Sequence, residues 1–273
     1  MDVLIKSIVA AILAIALAVL LALQGLYWYG AHDLPQTLPL PRHHYSAQAR
    51  ALMWSELGGQ GELRIRRFSS VGLPLTELGH ALRCWSHAWS DWPTQKAACA
   101  AGADEDVLFH AADDIAFLHL AQADPRLGPN LKYGRNRDGY RPWPKRLRPV
   151  SYAVASRLSR EWPAERVIDS ILENSDYGHG AMGLEQAAQI YFGVPANELR
   201  DAELVALIVF SRGPRYYDPA CEPEHFRNGH LRLMLDRGYR VTLSEPDADL
   251  SRMKRWACPT AARLKPGTCP KPD

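Results

Sequence analysis

A long uncharged run at the N-terminus constrains this chain more than any other feature. No charged side chain occurs between Ser7 and Ala31, and residues 8–23 are almost all Ile, Val, Leu and Ala. At about 1.5 Å per residue, such a run crosses the hydrocarbon core of a bilayer, which is about 30 Å thick. Aromatic residues follow at 27–29, and aromatic rings are enriched at membrane interfaces. The sequence therefore predicts a transmembrane anchor over residues 1–31.

Two other interpretations of this run remain open. A cleaved signal peptide has a shorter apolar core and small residues at its cleavage site, whereas aromatic side chains stand at that place here. A buried core helix is the second alternative. Lys6 and the amino terminus precede the run and favour an N-terminus inside the cytoplasm. We therefore expect a single-pass protein of the inner (cytoplasmic) membrane, with residues 32–273 on the periplasmic side.

The cysteines fit an oxidising compartment. The chain has five of them, and two short spacings, 84/99 and 258/269, favour local disulfide loops there. An odd number leaves at least one thiol free or bonded to another molecule. No CxxC or HExxH motif occurs in the sequence, so a zinc site has little support, while metal binding through other ligands remains open.

Beyond the anchor, the sequence predicts one mainly α domain. Residues 32–42 are rich in proline and predict a stalk, residues 43–258 form the domain, and residues 259–273 predict a loose tail. Apolar periodicity and helix-stop residues predict the main helices at 104–123, 149–161, from Pro163 to 174, 183–192, 199–210 and 224–237.

Three tryptophans at helical spacing stand out in the region that is hardest to interpret. Trp85, Trp89 and Trp92 share one face if the segment is a helix. The pattern favours a buried aromatic stripe. The alternative is a face that lies on the bilayer or stacks on sugar rings.

Residues 165–219 carry an ordered series of short motifs that together suggest a family. Individually they are weak, and in this order they resemble the C-terminal half of family 51 glycosyltransferases, the peptidoglycan glycosyltransferases and monofunctional transglycosylases. The best match covers residues 147–250. The matching pieces are Ile168 to Asn174, the glycines Gly178, Gly180 and Gly183, Tyr191-Phe192-Gly193, Leu199, Glu203, Tyr216 and Pro219.

The resemblance implies both a fold and a reaction. The fold is a lysozyme-like, mainly α glycosyltransferase domain beside the membrane. In the implied reaction, a glutamate acts as general base on the 4-hydroxyl of an acceptor sugar, and that hydroxyl attacks a lipid diphosphate sugar. Cations, or a divalent metal that the resemblance makes possible, would hold the leaving diphosphate.

Glu105 is the candidate catalytic glutamate. The family carries this residue in a Glu-Asp-x-x-Phe-x-x-His motif, and residues 105–109 reproduce its first five positions, with a histidine one residue after the phenylalanine. Residues 104–106 would equally favour a helix N-terminus through their negative charge. Glu56 is a weaker candidate for the same role.

Other family motifs are incomplete. Nothing between Glu105 and Pro149 resembles the Gly-Ser-Thr-x-Thr-Gln-Gln segment of the family. Ser151 stands where the family's second glutamate is expected, so the metal that this carboxylate would help to hold has weak support. The chain therefore resembles the family as a divergent member would, with incomplete N-terminal catalytic motifs.

Cations and turn residues supply the candidate substrate-binding positions. Seven Lys or Arg residues lie between 132 and 148 against one acid, which indicates either a solvated loop or a site for a diphosphate or anionic lipid headgroups. His179 lies in a glycine-rich turn, where a polar loop residue is the simpler interpretation. The predicted substrate-binding residues are Lys145, Arg146, Arg148, Glu173, Asn174 and His179.

Three functions follow as hypotheses. The first is a peptidoglycan glycosyltransferase that polymerises lipid-linked disaccharide units, and the second is an inactive membrane-anchored scaffold that binds glycan, precursor or a cell-wall synthase. A lysozyme-like glycan-cleaving enzyme is the third. We expect the precursor, the inner membrane and possible cell-wall synthases as partners, and the net charge of +2 is too small to favour nucleic acid.

Overall fold

The fold is helical, as the apolar periodicity predicted. The structure is a computed structural model, and it describes residues 2–87, 89, 102–123, 146–214, 216–239 and 250–254. Its helices are α1 (Asp2–Ala31), α2 (Ala47–Glu56), α3 (Gly72–Ser86), α4 (Ala103–Ala123), α5 (Leu147–Glu161), α6 (Ala164–Asn174), α7 (Leu184–Phe192), α8 (Asp201–Arg212) and α9 (Pro223–Asp236). No strand occurs within these described ranges.

The chain divides into two compact units, and the predicted domain bounds of 43–258 stay a prediction. The first unit comprises residues 1–39 and 64–164, and the second comprises residues 40–63 and 165–273. Each unit is therefore built from two separate stretches of chain. Sequence patterns did not predict this division, because the segment at 40–63 joins helices that begin more than a hundred residues later.

Helix α1 has the length and composition of a membrane span. Its segment Ile5–Ala31 has a mean hydropathy of 2.7 and none of its most apolar window is buried in the protein. The end of α1 packs against α5 at Gly30. A Cβ atom on that glycine would lie 2.0 Å from the carbonyl oxygen of Pro149, so only glycine permits this approach of two helix backbones.

The segment after α1, which its prolines predicted to be a stalk, is docked on α5. Arg157 donates to the carbonyl oxygens of Pro35 and Gln36. Arg146, at the start of α5, pairs with Asp33 at 2.8 Å. That contact, together with the burial that opposes it, leaves the pKa of Asp33 lowered to about 2. These arginines are more than a hundred residues away in sequence, which explains why local composition did not reveal the docking.

In the first unit, α4 and α5 pack along each other around a buried apolar core. Val107, Leu108 and Ala111 of α4 are fully buried, as are Val150 and Val154 of α5. The periodicity of residues 104–123 predicted this helix, and the prediction is confirmed at Ala103–Ala123.

In the second unit, α8 forms the centre of the core. Every residue from Ala202 to Phe210 is buried, which confirms the predicted strongly apolar helix. α2 and α9 both pack against α8. Helix α7 ends at Gly193, whose φ of 70° is the left-handed conformation that favours glycine.

The glycine-rich turn of residues 175–183 is tightly closed. An isolated bridge joins Asp176 and Met182, and the Gly183 amide donates to the Ser175 carbonyl at 2.8 Å. Gly183 has a φ of 83°, and a Cβ atom there would lie 2.4 Å from the carbonyl oxygen of Glu173. Both constraints require glycine at this position, which is a motif position of the family resemblance.

The tryptophans of the predicted aromatic stripe are exposed where the structure describes them. Trp85, near the end of α3, is 76% exposed, and Trp89 is 98% exposed. The favoured interpretation of a buried stripe is therefore wrong for these two residues, while Trp92 lies outside the described residues. Spacing indicates that side chains share a face, but it does not show what covers that face.

Candidate functional site

The first turn of α4 contains three consecutive acidic residues, Asp104, Glu105 and Asp106. Negative charge is favourable there because a helix N-terminus carries a partial positive charge. The carbonyl oxygen of Gly102 accepts from the backbone N–H groups of Glu105 and Asp106, both at 3.0 Å. A negative charge at Glu105 therefore stabilises the start of the helix, independently of any role in a reaction.

The Glu105 side chain is fully buried and contacts Arg66 and His80. Arg66 Nη2 donates to Glu105 Oε1 at 2.7 Å, and His80 Nε2 lies 2.8 Å from Glu105 Oε2. The approach of His80 is not aligned as a hydrogen bond, so Oε2 has no aligned donor among the described residues. His80 comes from α3 and Arg66 from the segment before it. Sequence reasoning missed both partners, because neither belongs to a motif.

Two further carboxylates flank Glu105. Burial raises the pKa of Glu77, on α3; the charge of Arg148 lowers it and that of Glu105 raises it. Burial also raises the pKa of Asp106, and the charge of Glu105 adds to that increase. Carboxylates whose pKa values are raised by burial and by one another are typical of acid–base sites.

Arg148, a predicted substrate-binding residue, lies in the same surroundings. It is exposed on α5, and its guanidinium lies 5.9 Å from the ring centre of Phe109 on α4. Phe109 in turn packs edge-on against Tyr152 at 5.2 Å. Because both Arg148 and Glu105 act on the pKa of Glu77, the structure brings the predicted base and one predicted diphosphate ligand onto neighbouring helices of the first unit.

Ser151 occupies the place of the family's second glutamate. Its side chain is fully buried, and its Oγ makes no hydrogen bond to any described residue. Within the described ranges, no three His, Cys, Asp or Glu side chains come together as a metal-binding group. The donor set that a divalent metal would need is therefore not assembled by these residues, and we derive no step through a metal.

Arg146 is held against the C-terminal end of α1. It donates to Asp33 and to the carbonyl oxygen of Tyr29 at 3.1 Å, and its guanidinium lies 5.2 Å from the Tyr29 ring centre. These contacts fasten the end of the anchor to α5. Its predicted substrate-binding role stays a prediction. Lys145 lies outside the described residues.

Glu173 and Asn174, at the end of α6, make local contacts within the second unit. Glu173 Oε2 accepts from the backbone N–H groups of Arg42 and His43 at 2.7 and 3.0 Å. Asn174 donates to the carbonyl oxygen of Ser170 at 2.8 Å in its own helix. Both contacts hold backbone in place, and substrate binding by these two residues stays a prediction.

His179 is held in the glycine-rich turn. It has a positive φ of 49°, which is uncommon for a residue with a side chain. Its Nε2 lies 3.1 Å from Asp218 Oδ2, and its side chain is only 9% exposed. Asp218 also accepts from the backbone N–H of Ala220 at 2.8 Å. The contact therefore ties two loops together, and a substrate role for His179 remains a prediction.

Among its described residues, the second unit contains three buried carboxylates that pair with arginine. They are Asp169 with Arg50, Glu56 with Arg212 and Arg232, and Glu203 with Arg200 and Arg252. Burial acts to raise the pKa of Glu203, but its hydrogen bonds from the two arginines lower it to about 2. Glu56, the weaker candidate for the base, is thus fixed by two guanidinium groups.

Comparison with known proteins shows which family this part of the chain resembles. A family model described as Transglycosylase matches residues 141–237. The resemblance to family 51 glycosyltransferases is confirmed. The matched stretch begins before α5 and ends after α9, so it includes the predicted apolar helices and the glycine-rich turn. The chain therefore carries a glycosyltransferase-like segment.

Several curated relatives share this segment. The chain is 25% identical to the biosynthetic peptidoglycan transglycosylase of Ectopseudomonas mendocina over 189 residues, which are 65% of this chain and 76% of the relative. It is 34% identical to penicillin-binding protein 2D of Bacillus subtilis over 77 residues, and 34% identical to penicillin-binding protein 1A of Aquifex aeolicus over 89 residues. Those alignments cover 28% and 32% of this chain but only 11% and 12% of the two relatives.

Proposed function

We propose that this chain is a membrane-anchored peptidoglycan glycosyltransferase that joins lipid-linked disaccharide units into glycan strands. The transglycosylase match at residues 141–237 carries the proposal. The apolar first helix supports it, because a lipid-linked substrate presents its sugars and diphosphate at a bilayer surface. Cys84 and Cys221 are each disulfide-bonded, which supports an oxidising compartment, and we assign the domain to the periplasmic side of the inner membrane.

The proposed reaction forms one bond and breaks another at the same carbon. The acceptor 4-hydroxyl oxygen attacks the anomeric carbon of the donor, and the bond from that carbon to the diphosphate breaks. The electron pair leaves with the diphosphate, and the hydroxyl proton passes to a carboxylate. We assign this general base to Glu105, whose Oε2 is the oxygen without an aligned donor among the described residues.

Arg66 has a role in this proposal because it pairs with Glu105. Its side chain is 61% exposed, whereas that of Glu105 is fully buried. A guanidinium pairs with phosphate oxygens as readily as with a carboxylate. An arriving diphosphate would therefore draw Arg66 outward and leave Glu105 open to the acceptor hydroxyl. Arg148, exposed on α5, would add a second cation for the diphosphate.

The test is polymerisation of lipid-linked disaccharide by the purified full-length chain and by Glu105→Gln. A placed general base contributes about 10²–10⁴-fold to a rate, so Glu105→Gln should lose activity by that factor. Glu161→Gln is the matched control, since Glu161 pairs with Arg157 on the surface of α5. A Glu105→Gln variant as active as Glu161→Gln would disprove the assignment of the base.

A second function, a scaffold that binds precursor without polymerising it, is favoured by one observation. Ser151 replaces a family carboxylate and is itself buried. Wild-type protein that makes no polymer, while a known synthase is active in the same assay, would favour the scaffold. Retained binding of lipid-linked precursor, reduced in Arg148→Ala, would then assign it as a precursor-binding protein.

A further inference from the structure

We infer that α3 is a second membrane-contacting element, which lies along the bilayer surface with its apolar face in the lipid. This goes beyond the anchor α1 and beyond the proposed reaction. The face consists of Leu75, Leu78, Leu82 and Trp85, and Trp89 follows just after the helix; we call these five residues the α3 stripe. The spacings of three, four and three residues keep the first four on one side of the helix.

The α3 stripe is exposed to an unusual degree. Its members are 41%, 50%, 55%, 76% and 98% exposed, in chain order. Outside α1, only four other large apolar side chains in the described ranges are exposed, and these are scattered over the chain. Single exposed apolar residues are normal on a protein surface, whereas five together indicate an interaction face.

The position of α3 indicates that lipid covers this face. Ser70, two residues before α3, donates to Gln24 Oε1 of the membrane-spanning helix at 2.7 Å. Gln24 precedes the aromatic residues 27–29 by about one turn, or about 5 Å along the helix axis. Because those aromatics suit the membrane interface, α3 begins at the depth where the hydrocarbon core ends.

The length and polar side of α3 fit a helix that lies in the interface. Its 15 residues are too few to cross a bilayer, which takes about 20. The side away from the stripe carries Glu77 and His80, and His80 contacts Glu105 within the first unit. Arg83, in the last turn, supplies a cation suited to anionic headgroups. Membrane contact by α3 would therefore hold the Glu105 surroundings close to the bilayer surface.

Site-specific photocrosslinking in lipid vesicles tests this inference. A genetically encoded diazirine amino acid replaces Leu82 in the full-length chain, which is reconstituted in vesicles of neutral and anionic phospholipid. Leu235 on α9 is the matched control, because it is a helical leucine outside the α3 stripe and is similarly exposed, at 58%. Leu13, in the centre of α1, is the positive control for lipid contact.

We expect lipid adducts at position 82 in a yield comparable to that at position 13. At position 235 we expect few or no lipid adducts. Lipid adducts at position 13 but not at position 82 would overturn the inference. A crosslinked protein dimer through position 82 would also overturn it and assign the α3 stripe to a second copy of this chain. Because the readout is an adduct and not polymer, the result is independent of the proposed activity.

Discussion

Glu105 of the first unit and the arginine-paired carboxylates of the second are comparably buried, but they differ in the hydrogen bonds that they accept. Asp169 accepts from Arg50 Nε and Nη2 at 2.7 and 2.8 Å, one bond to each oxygen, and from the backbone N–H of Tyr45 at 3.3 Å. Glu105 has one aligned donor, from the largely exposed Arg66, and one oxygen without an aligned donor. The second unit uses its buried charges to fix the fold, whereas the first holds a buried carboxylate with one oxygen that has no aligned donor among the described residues.

The pKa shifts of the carboxylates in the two regions also differ. The pKa of Glu203 is lowered to about 2 by two arginines, despite burial. In the first unit, burial raises the pKa values of Glu77 and Asp106 around Glu105. The pKa of a carboxylate is thus lowered where it accepts hydrogen bonds from arginine, as Asp104 does from Arg66, and raised where burial outweighs nearby cations, as at Glu77.

The largest stability loss should follow Asp169→Asn. Removing one partner of a buried ion pair costs about 3–5 kcal/mol, and the lower end applies here because Arg50 is 20% exposed and can reach water. Hydrogen exchange of second-unit peptides is the measurement, since it reports local opening. Glu161→Gln, which disrupts an i,i+4 pair whose carboxylate is 43% exposed, should cost less than about 0.5 kcal/mol. Equal protection in the two variants would contradict the comparison.

Gly30→Ala should destabilise the first unit by about 1–3 kcal/mol, the usual cost of an overpacked contact. The new Cβ atom would meet the backbone of Pro149, which cannot move aside as a side chain can. Hydrogen exchange in α5 and protease sensitivity in detergent measure the effect. Gly25→Ala is the matched control in the same helix, because a Cβ atom there has nothing within 4 Å. If the two variants behave alike, the packing of α1 on α5 does not stabilise the unit.

Glu105→Gln should change the free energy of unfolding by less than about 1 kcal/mol, in contrast to Asp169→Asn. The glutamine can still accept from Arg66, and Arg66 keeps its second partner, Asp104. Thermal unfolding in detergent is the measurement. A loss as large as that of Asp169→Asn would make Glu105 a structural carboxylate and remove the contrast between the units.

Acid should reduce the contribution of Glu203 progressively below about pH 4.5. The folded pKa of Glu203 is about 2, against an ordinary value of 4.5. Its ion pairs therefore contribute fully above about pH 4.5, and this contribution is lost as the pH falls through about 2. The stability difference between wild type and Glu203→Gln should be constant from neutral pH to about pH 5 and then shrink. A difference that is independent of pH would show that the arginines do not hold Glu203 ionised.

The smallest effect is expected for Glu77→Gln. Burial raises the pKa of Glu77, so the folded state disfavours its ionised form at neutral pH. The neutral glutamine should therefore increase the free energy of unfolding slightly, by less than about 0.5 kcal/mol. The gain should disappear in acid, where Glu77 is itself protonated. A loss of stability at neutral pH would mean that the attraction between the charges of Glu77 and Arg148 outweighs the burial of Glu77.

The sequence determined the local structure well where periodicity was strong. Helix α4 was predicted from its apolar spacing, α7 from its stop at Gly193, and α8 from its nearly continuous apolar run. The motif order around Gly183 indicated the family. These features depend on neighbours in the chain, and a single sequence contains that information.

Only the tertiary structure decided the partners of the buried charges. Arg66 and His80 meet Glu105 from 39 and 25 residues away, and Arg50 meets Asp169 from 119 residues away. The exposure of Trp85 was likewise decided by packing, since a helical stripe has the same spacing in a core and on a surface. The sequence therefore determined which side chains share a helix face. Long-range packing determined which of those faces and charges are buried, paired or left for a ligand.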